Sequence, residues 1–138
     1  MNIKEILENA IKEEEYFYLF YKDLAALAIN PEIKRKFLEL SEFEKIHKEK
    51  LESLKINSVN PDKISEIDVG DINLLKPTNE FKDIKEMLRF AIKQESFAKV
   101  FYRDLAYALE DEAKTVLLML SEEEAKHEQI LTEQLEEL

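Results

Sequence analysis

Leu40-Ser-Glu-Phe-Glu-Lys-Ile-His47 recurs eighty residues later as Leu120-Ser-Glu-Glu-Glu-Ala-Lys-His127. Leucine, serine, two glutamate positions and histidine all return. In each copy a Glu precedes the His by three residues, which sets both side chains on one helix face, one turn apart. The stripe through that face reads Leu40, Glu44, His47, Leu51 in one copy and Leu120, Glu124, His127, Leu131 in the other. It is an apolar seam with ionisable residues in place of one apolar turn.

The segments upstream repeat as well. Ala10-Ile-Lys-Glu-Glu-Glu-Tyr-Phe-Tyr-Leu-Phe-Tyr-Lys-Asp-Leu-Ala25 aligns with Ala91-Ile-Lys-Gln-Glu-Ser-Phe-Ala-Lys-Val-Phe-Tyr-Arg-Asp-Leu-Ala106, with nine of sixteen pairs identical. Their stripes are Ile3, Leu7, Ala10, Phe17, Tyr21, Leu24, Ala28 and Ile84, Leu88, Ala91, Ala98, Tyr102, Leu105, Leu109. Steps of three and four mark amphipathic helices. The skipped turn holds Glu14 in one stripe and Glu95 in the other. Several matched residues are polar ones that packing does not need, which favours duplication of a helix pair. A pseudo-twofold axis follows, with one half-site from each hairpin.

These stripes predict an all-α chain forming one domain over residues 1–138, with helices at about 2–29, 31–55, 80–109 and 112–137. Asn30-Pro31 supplies a cap and a first-turn proline, and Glu110-Asp111 a tight turn. Residues 56–79 hold Pro61, Gly70, Pro77 and several Asn and Asp, and read as a long crossover with a short helix starting at Asn60-Pro61. Such a connection reaches about 80 Å extended, against about 42 Å for the first helix. It can run the length of a four-helix bundle and leave the second and third helices parallel.

Composition narrows the function. The chain has no cysteine, which excludes disulfides, thiolate metal sites and thiol catalysis. A net charge of -11 should repel nucleic acid and anionic membranes and attract cations. No apolar run approaches the roughly 20 residues needed to span a bilayer. The N-terminus, Met1-Asn2-Ile3-Lys4-Glu5, is charged and helical in pattern, so no signal peptide is expected and the expected compartment is the cytoplasm.

The four seams bring Glu14, Glu44, Glu95, Glu124, His47 and His127 inward. Burying four carboxylates without a cation costs several kcal/mol each. Two divalent cations cancel four negative charges, and each His offers one neutral nitrogen, so a dinuclear metal site is expected. Tyr21 and Tyr102 lie two turns beyond Glu14 and Glu95. They read either as core aromatics or as hydrogen-bond donors to the ligand carboxylates. Asp23 and Asp104 face away from the seam and are assigned to the surface or an interface. Tyr16 and Leu19 also point away, and either the crossover or another subunit should cover them.

Glu14, Glu44-x-x-His47, Glu95 and Glu124-x-x-His127 together resemble the rubrerythrin and ferritin-like di-iron carboxylate proteins. In these, two helices give one Glu each and the other two give Glu-x-x-His. The resemblance implies a ferritin-like bundle with two iron ions, Glu44 and Glu124 bridging, Glu14 and Glu95 terminal, and one His per metal. It implies an oxidoreductase that reacts with peroxide or dioxygen, takes electrons from an external donor, and forms a homodimer or larger homo-oligomer. Two alternatives stay open: ferroxidase-type iron storage or delivery, and a non-redox zinc or manganese bundle, since His and carboxylate ligands discriminate weakly among first-row metals. The chain departs from rubrerythrins at Ala98, where they carry a further carboxylate, and in containing no cysteine, where they carry a Cys-rich electron-delivering module.

Overall fold

Side-chain caps fix where most of the helices begin. A computed structural model describes residues 1–138. Asn2 accepts a hydrogen bond from the Glu5 amide at 2.9 Å and starts α1, Ile3–Leu27. Asn30 accepts from the Glu32 amide at 2.8 Å, and Pro31 opens α2, Pro31–Glu52. Asn60 caps the short α3, Pro61–Ser65, and Asp83 caps α4, Ile84–Tyr107. The last helix, α5, spans Asp111–Glu136. It lacks a side-chain cap; Asp111 turns the chain with φ 59°, a region short polar residues tolerate.

The helices form two antiparallel hairpins, α1–α2 and α4–α5. The repeated serines are ties within them. Ser41 Oγ donates to the Tyr18 carbonyl and Ser121 Oγ to the Lys99 carbonyl, both at 2.7 Å. The crossover is pinned to the α4–α5 turn where the Asn60 amide donates to the Ala108 carbonyl at 2.9 Å and Val59 bridges Leu109. The C-terminal ends of α2 and α4 therefore lie together, and these two helices run parallel. Gly70, at φ +73°, lies against the Phe97 ring, where a Cβ would fall 2.9 Å from the ring carbons.

Two apolar clusters fill the bundle. Ile6, Ala10, Leu51, Leu105 and Leu117 belong to one. Phe20, Leu24, Phe37, Leu88 and Leu131 belong to the other. Each buried Leu or Phe contributes about 1.5–3 kcal/mol. The stripe order places the polar turns between them: Ala10 and Phe17, on either side of Glu14, fall in different clusters, as do Leu120 and Leu131, on either side of Glu124 and His127.

Several boundaries differ from expectation. The first helix stops at Leu27 rather than 29 and the second at Glu52 rather than 55. The third starts at Ile84 rather than 80 because Phe81 folds against Phe90 and Phe20, ring centroids 5.1 and 5.7 Å apart, leaving Asp83 as the cap. Leu138 lies beyond α5 and is 51% exposed. The crossover covers Tyr16, whose hydroxyl donates to the Lys76 carbonyl at 2.7 Å, whereas Leu19 stays exposed. Asp23 faces the crossover and accepts from Thr78 Oγ1 at 2.6 Å; Asp104 is half-exposed beside Arg103. No helix is long and apolar enough to cross a membrane.

Candidate metal centre

Each seam residue singled out from the sequence is buried. Glu14, Glu44, His47, Glu95, Glu124 and His127 expose at most 4% of their surface. They form two groups, Glu14–Glu44–His47–Glu124 and Glu44–Glu95–Glu124–His127, whose potential ligand atoms lie within 4.8 Å of one another. Glu44 and Glu124 belong to both groups. The sharing follows from the helix grammar: each Glu-x-x-His turn sends its His to one group and its Glu to the boundary between them.

Both histidines turn Nδ1 toward the cluster. His47 Nδ1 lies 2.6 Å from Glu124, 3.6 Å from Glu14 and 3.9 Å from Glu44. His127 Nδ1 lies 2.9 Å from Glu44, 3.7 Å from Glu95 and 3.9 Å from Glu124. The two rings are nearly parallel, 11° apart in plane, with centroids separated by 5.6 Å.

The tyrosines are donors, and they cross between the halves. Tyr21 on α1 donates to Glu95 Oε1 on α4 at 2.6 Å, and Tyr102 on α4 donates to Glu14 Oε1 on α1 at 2.5 Å. Burial raises both phenols well above their ordinary pKa, Glu95 and Glu14 adding to it, so both stay protonated. Each fixes one oxygen of its carboxylate and leaves the other facing inward.

Those inward atoms decide whether a metal fits. Glu14 Oε2 and Glu95 Oε2 are buried without a hydrogen-bond partner, and Glu124 Oε1 and His47 Nδ1, 2.6 Å apart, have only each other. Buried polar atoms left unsatisfied cost about 1–3 kcal/mol each, and these converge on one space. Oxygen and imidazole donors in this number suit divalent first-row cations. Without such a cation, protons must offset the charge. Burial and then the neighbouring carboxylates push Glu44 and Glu124 well above the usual carboxylate range. Burial disfavours the His47 imidazolium, but Glu123, Glu124 and Glu14 outweigh it and push the pKa up to about 12. Glu95, against burial, is held at about 2 by the neighbouring Glu124 and His127 side chains and by the hydrogen bond it accepts from Tyr21.

Two neighbours escaped the sequence reading. Glu123 makes a short contact with His47 Nε2. It fixes the ring, and with a cation bound it would hold the Nε2 proton and leave the Nδ1 lone pair for the ion. In the other half Phe43 takes this place, its ring centroid 5.5 Å from that of His127. The two positions are partners in the repeat, so the mismatch between Phe43 and Glu123 was visible, but nothing in it said which residue faces a histidine.

A four-helix bundle with four buried carboxylates and two imidazoles in two groups sharing two glutamates defines a carboxylate–histidine metal-binding class. A family model described as Rubrerythrin matches residues 1–84, and the chain belongs to that family. The matched part carries Glu14, Glu44 and His47; Glu95, Glu124 and His127 come from the second half of the repeat. Neither the curated proteins nor the solved structures gave a match.

Proposed function

We propose that the chain is a di-iron oxidoreductase that reduces peroxide or dioxygen and is itself reduced by an external donor. The observation that carries this reading is the pair of buried groups sharing Glu44 and Glu124, which would hold two cations side by side. In the proposed roles Glu44 and Glu124 bridge, Glu14 and Glu95 are terminal ligands, and His47 and His127 bind one ion each. Iron bound there would supply two reducing equivalents, one from each ion.

The chain's own residues do the rest. Tyr102 and Tyr21 hold Glu14 and Glu95 in a fixed orientation, and Glu123 does the same for His47. Phe17 and Phe101, each 7% exposed, wall the cluster from bulk water. Ala98 lines the cavity beside the carboxylates and offers no donor atom, leaving room for a small oxidant on the α1–α4 side.

The test is anaerobic loading with Fe(II), then mixing with peroxide or dioxygen while a chemical reductant is supplied. Repeated turnover that Glu44→Ala and Glu124→Ala abolish supports the reading. Oxidation that occurs once per site and leaves iron accumulating inside a cage of many subunits would replace it with storage.

A further inference from the structure

We propose that Glu13 is a capture residue for divalent cations, taking an ion from solvent at the mouth of the site and passing it to Glu14. The inference rests on the metal-centre reading above and adds the route by which the centre is filled.

The observation is a cavity of about 20 Å³ between α1 and α4. All four seam carboxylates line it, and at its outer rim stand Glu13, Gln94 and Ala98, all partly exposed. A cavity of that size is close to the 10–15 Å³ that one water occupies. An ion passing through must shed most of its hydration shell, so an oxygen donor at the rim that replaces lost water speeds the passage. Glu13 makes no ion pair or hydrogen bond with another side chain in the chain, whereas its neighbour Glu15 is tied to Lys48 at 2.8 Å. On the histidine side, Glu123 stands against His47 and Phe43 against His127.

The internal repeat isolates the feature. The partner of Glu13 is Gln94, so the two lips of the mouth carry the same shape of side chain but one charge. Packing would be served by glutamine on both sides. The charged lip belongs to α1, next to the group of Glu14, Glu44, His47 and Glu124, so that group should fill first.

The test uses Co(II) alone as probe, with stopped-flow association, chelator-driven dissociation and equilibrium titration on the full chain. Wild type is compared with Glu13→Gln, Gln94→Glu and Glu8→Gln, the last removing an exposed charge from the same helix away from the mouth. Glu13→Gln should slow association and dissociation together by roughly three- to tenfold, with Kd changed less than about twofold. Gln94→Glu should speed association, and Glu8→Gln should change neither rate. Wild-type rates in Glu13→Gln, or equal slowing in Glu8→Gln, would overturn the capture role. A tenfold weaker Kd in Glu13→Gln would overturn it too, by making Glu13 a ligand. A wild-type chain that takes up no Co(II) would overturn the metal-centre reading, and this inference with it.

Discussion

Replacing Tyr21 by phenylalanine should weaken one metal and spare the other. The hydroxyl donates at 2.6 Å to Glu95 Oε1, and Glu95 belongs only to the group that contains His127. A hydrogen bond to a charged group is worth about 1.5–3 kcal/mol. Loss of an outer partner of a metal ligand typically weakens metal binding about 10–100-fold, or about 1.4–2.7 kcal/mol. The upper end is reached only if Glu95 also loses its orientation. The ring of Tyr21 packs between Phe17 and Phe20, with centroids 5.8 and 5.6 Å away, so phenylalanine keeps the packing. Titration with Co(II) under a competing chelator should therefore resolve two steps, with only one weakened. Tyr102→Phe should weaken the other step, because its partner Glu14 belongs to the group of His47. If each variant stays folded and weakens both steps equally, or neither, the assignment of one tyrosine to one metal is refuted.

Metal removal should lower Tm: binding to the folded state at a hundred times Kd stabilises it by about 2.7 kcal/mol per site, and scanning calorimetry with and without chelator measures the loss. The metal-free protein should also lose stability as pH rises. Glu44 and Glu124 have folded pKa values raised above 4.5, and His47 is raised from 6.5 to about 12. The folded state then binds more protons than the unfolded one, and stability is lost from the ordinary carboxylate range upward. Glu95, held at about 2, acts in the opposite sense only below about 4.5, so thermal melts of the apo protein from about pH 5 to neutral should show a falling Tm; a rising Tm there would contradict the proton-filled cluster. Gln134 is 2% exposed and neither amide atom has a partner, while its partner in the repeat is Leu54. Gln134→Leu should stabilise by about 1–3 kcal/mol and raise Tm by roughly 3–10 °C, and a fall in Tm would mean that the amide is satisfied in solution.

The helices and the inward set were legible because both depend on period alone. A residue on the stripe of a long helix faces the core whatever its chemistry, so Glu14 and Glu95 could be placed without knowing their neighbours. Asn30-Pro31 is equally local, a cap and a first-turn proline in adjacent positions. Relations between the two hairpins were not legible. Tyr21 lies two turns from Glu14 on its own helix, yet its hydroxyl goes to Glu95 on the other half. That choice depends on how α1 and α4 sit side by side, which no spacing within α1 encodes. Glu123 lies off the apolar stripe of its helix, and only the approach of His47 gives it a role. The crossover hid its packing for a similar reason. Phe81 packs on Phe20 and the Lys76 carbonyl accepts from Tyr16, partners on α1 that are distant in sequence.

In the proposed centre six side chains hold two ions, with Glu44 and Glu124 shared. Anomalous diffraction at the metal edge, from crystals of the protein loaded with Fe(II) or Co(II), tests it directly. Two peaks a few Å apart are expected, one beside His47 Nδ1 and Glu14, the other beside His127 Nδ1 and Glu95, with Glu44 and Glu124 reaching both. A single peak bound by one histidine, or ions found only on surface glutamates while the six side chains keep their metal-free contacts, would contradict it.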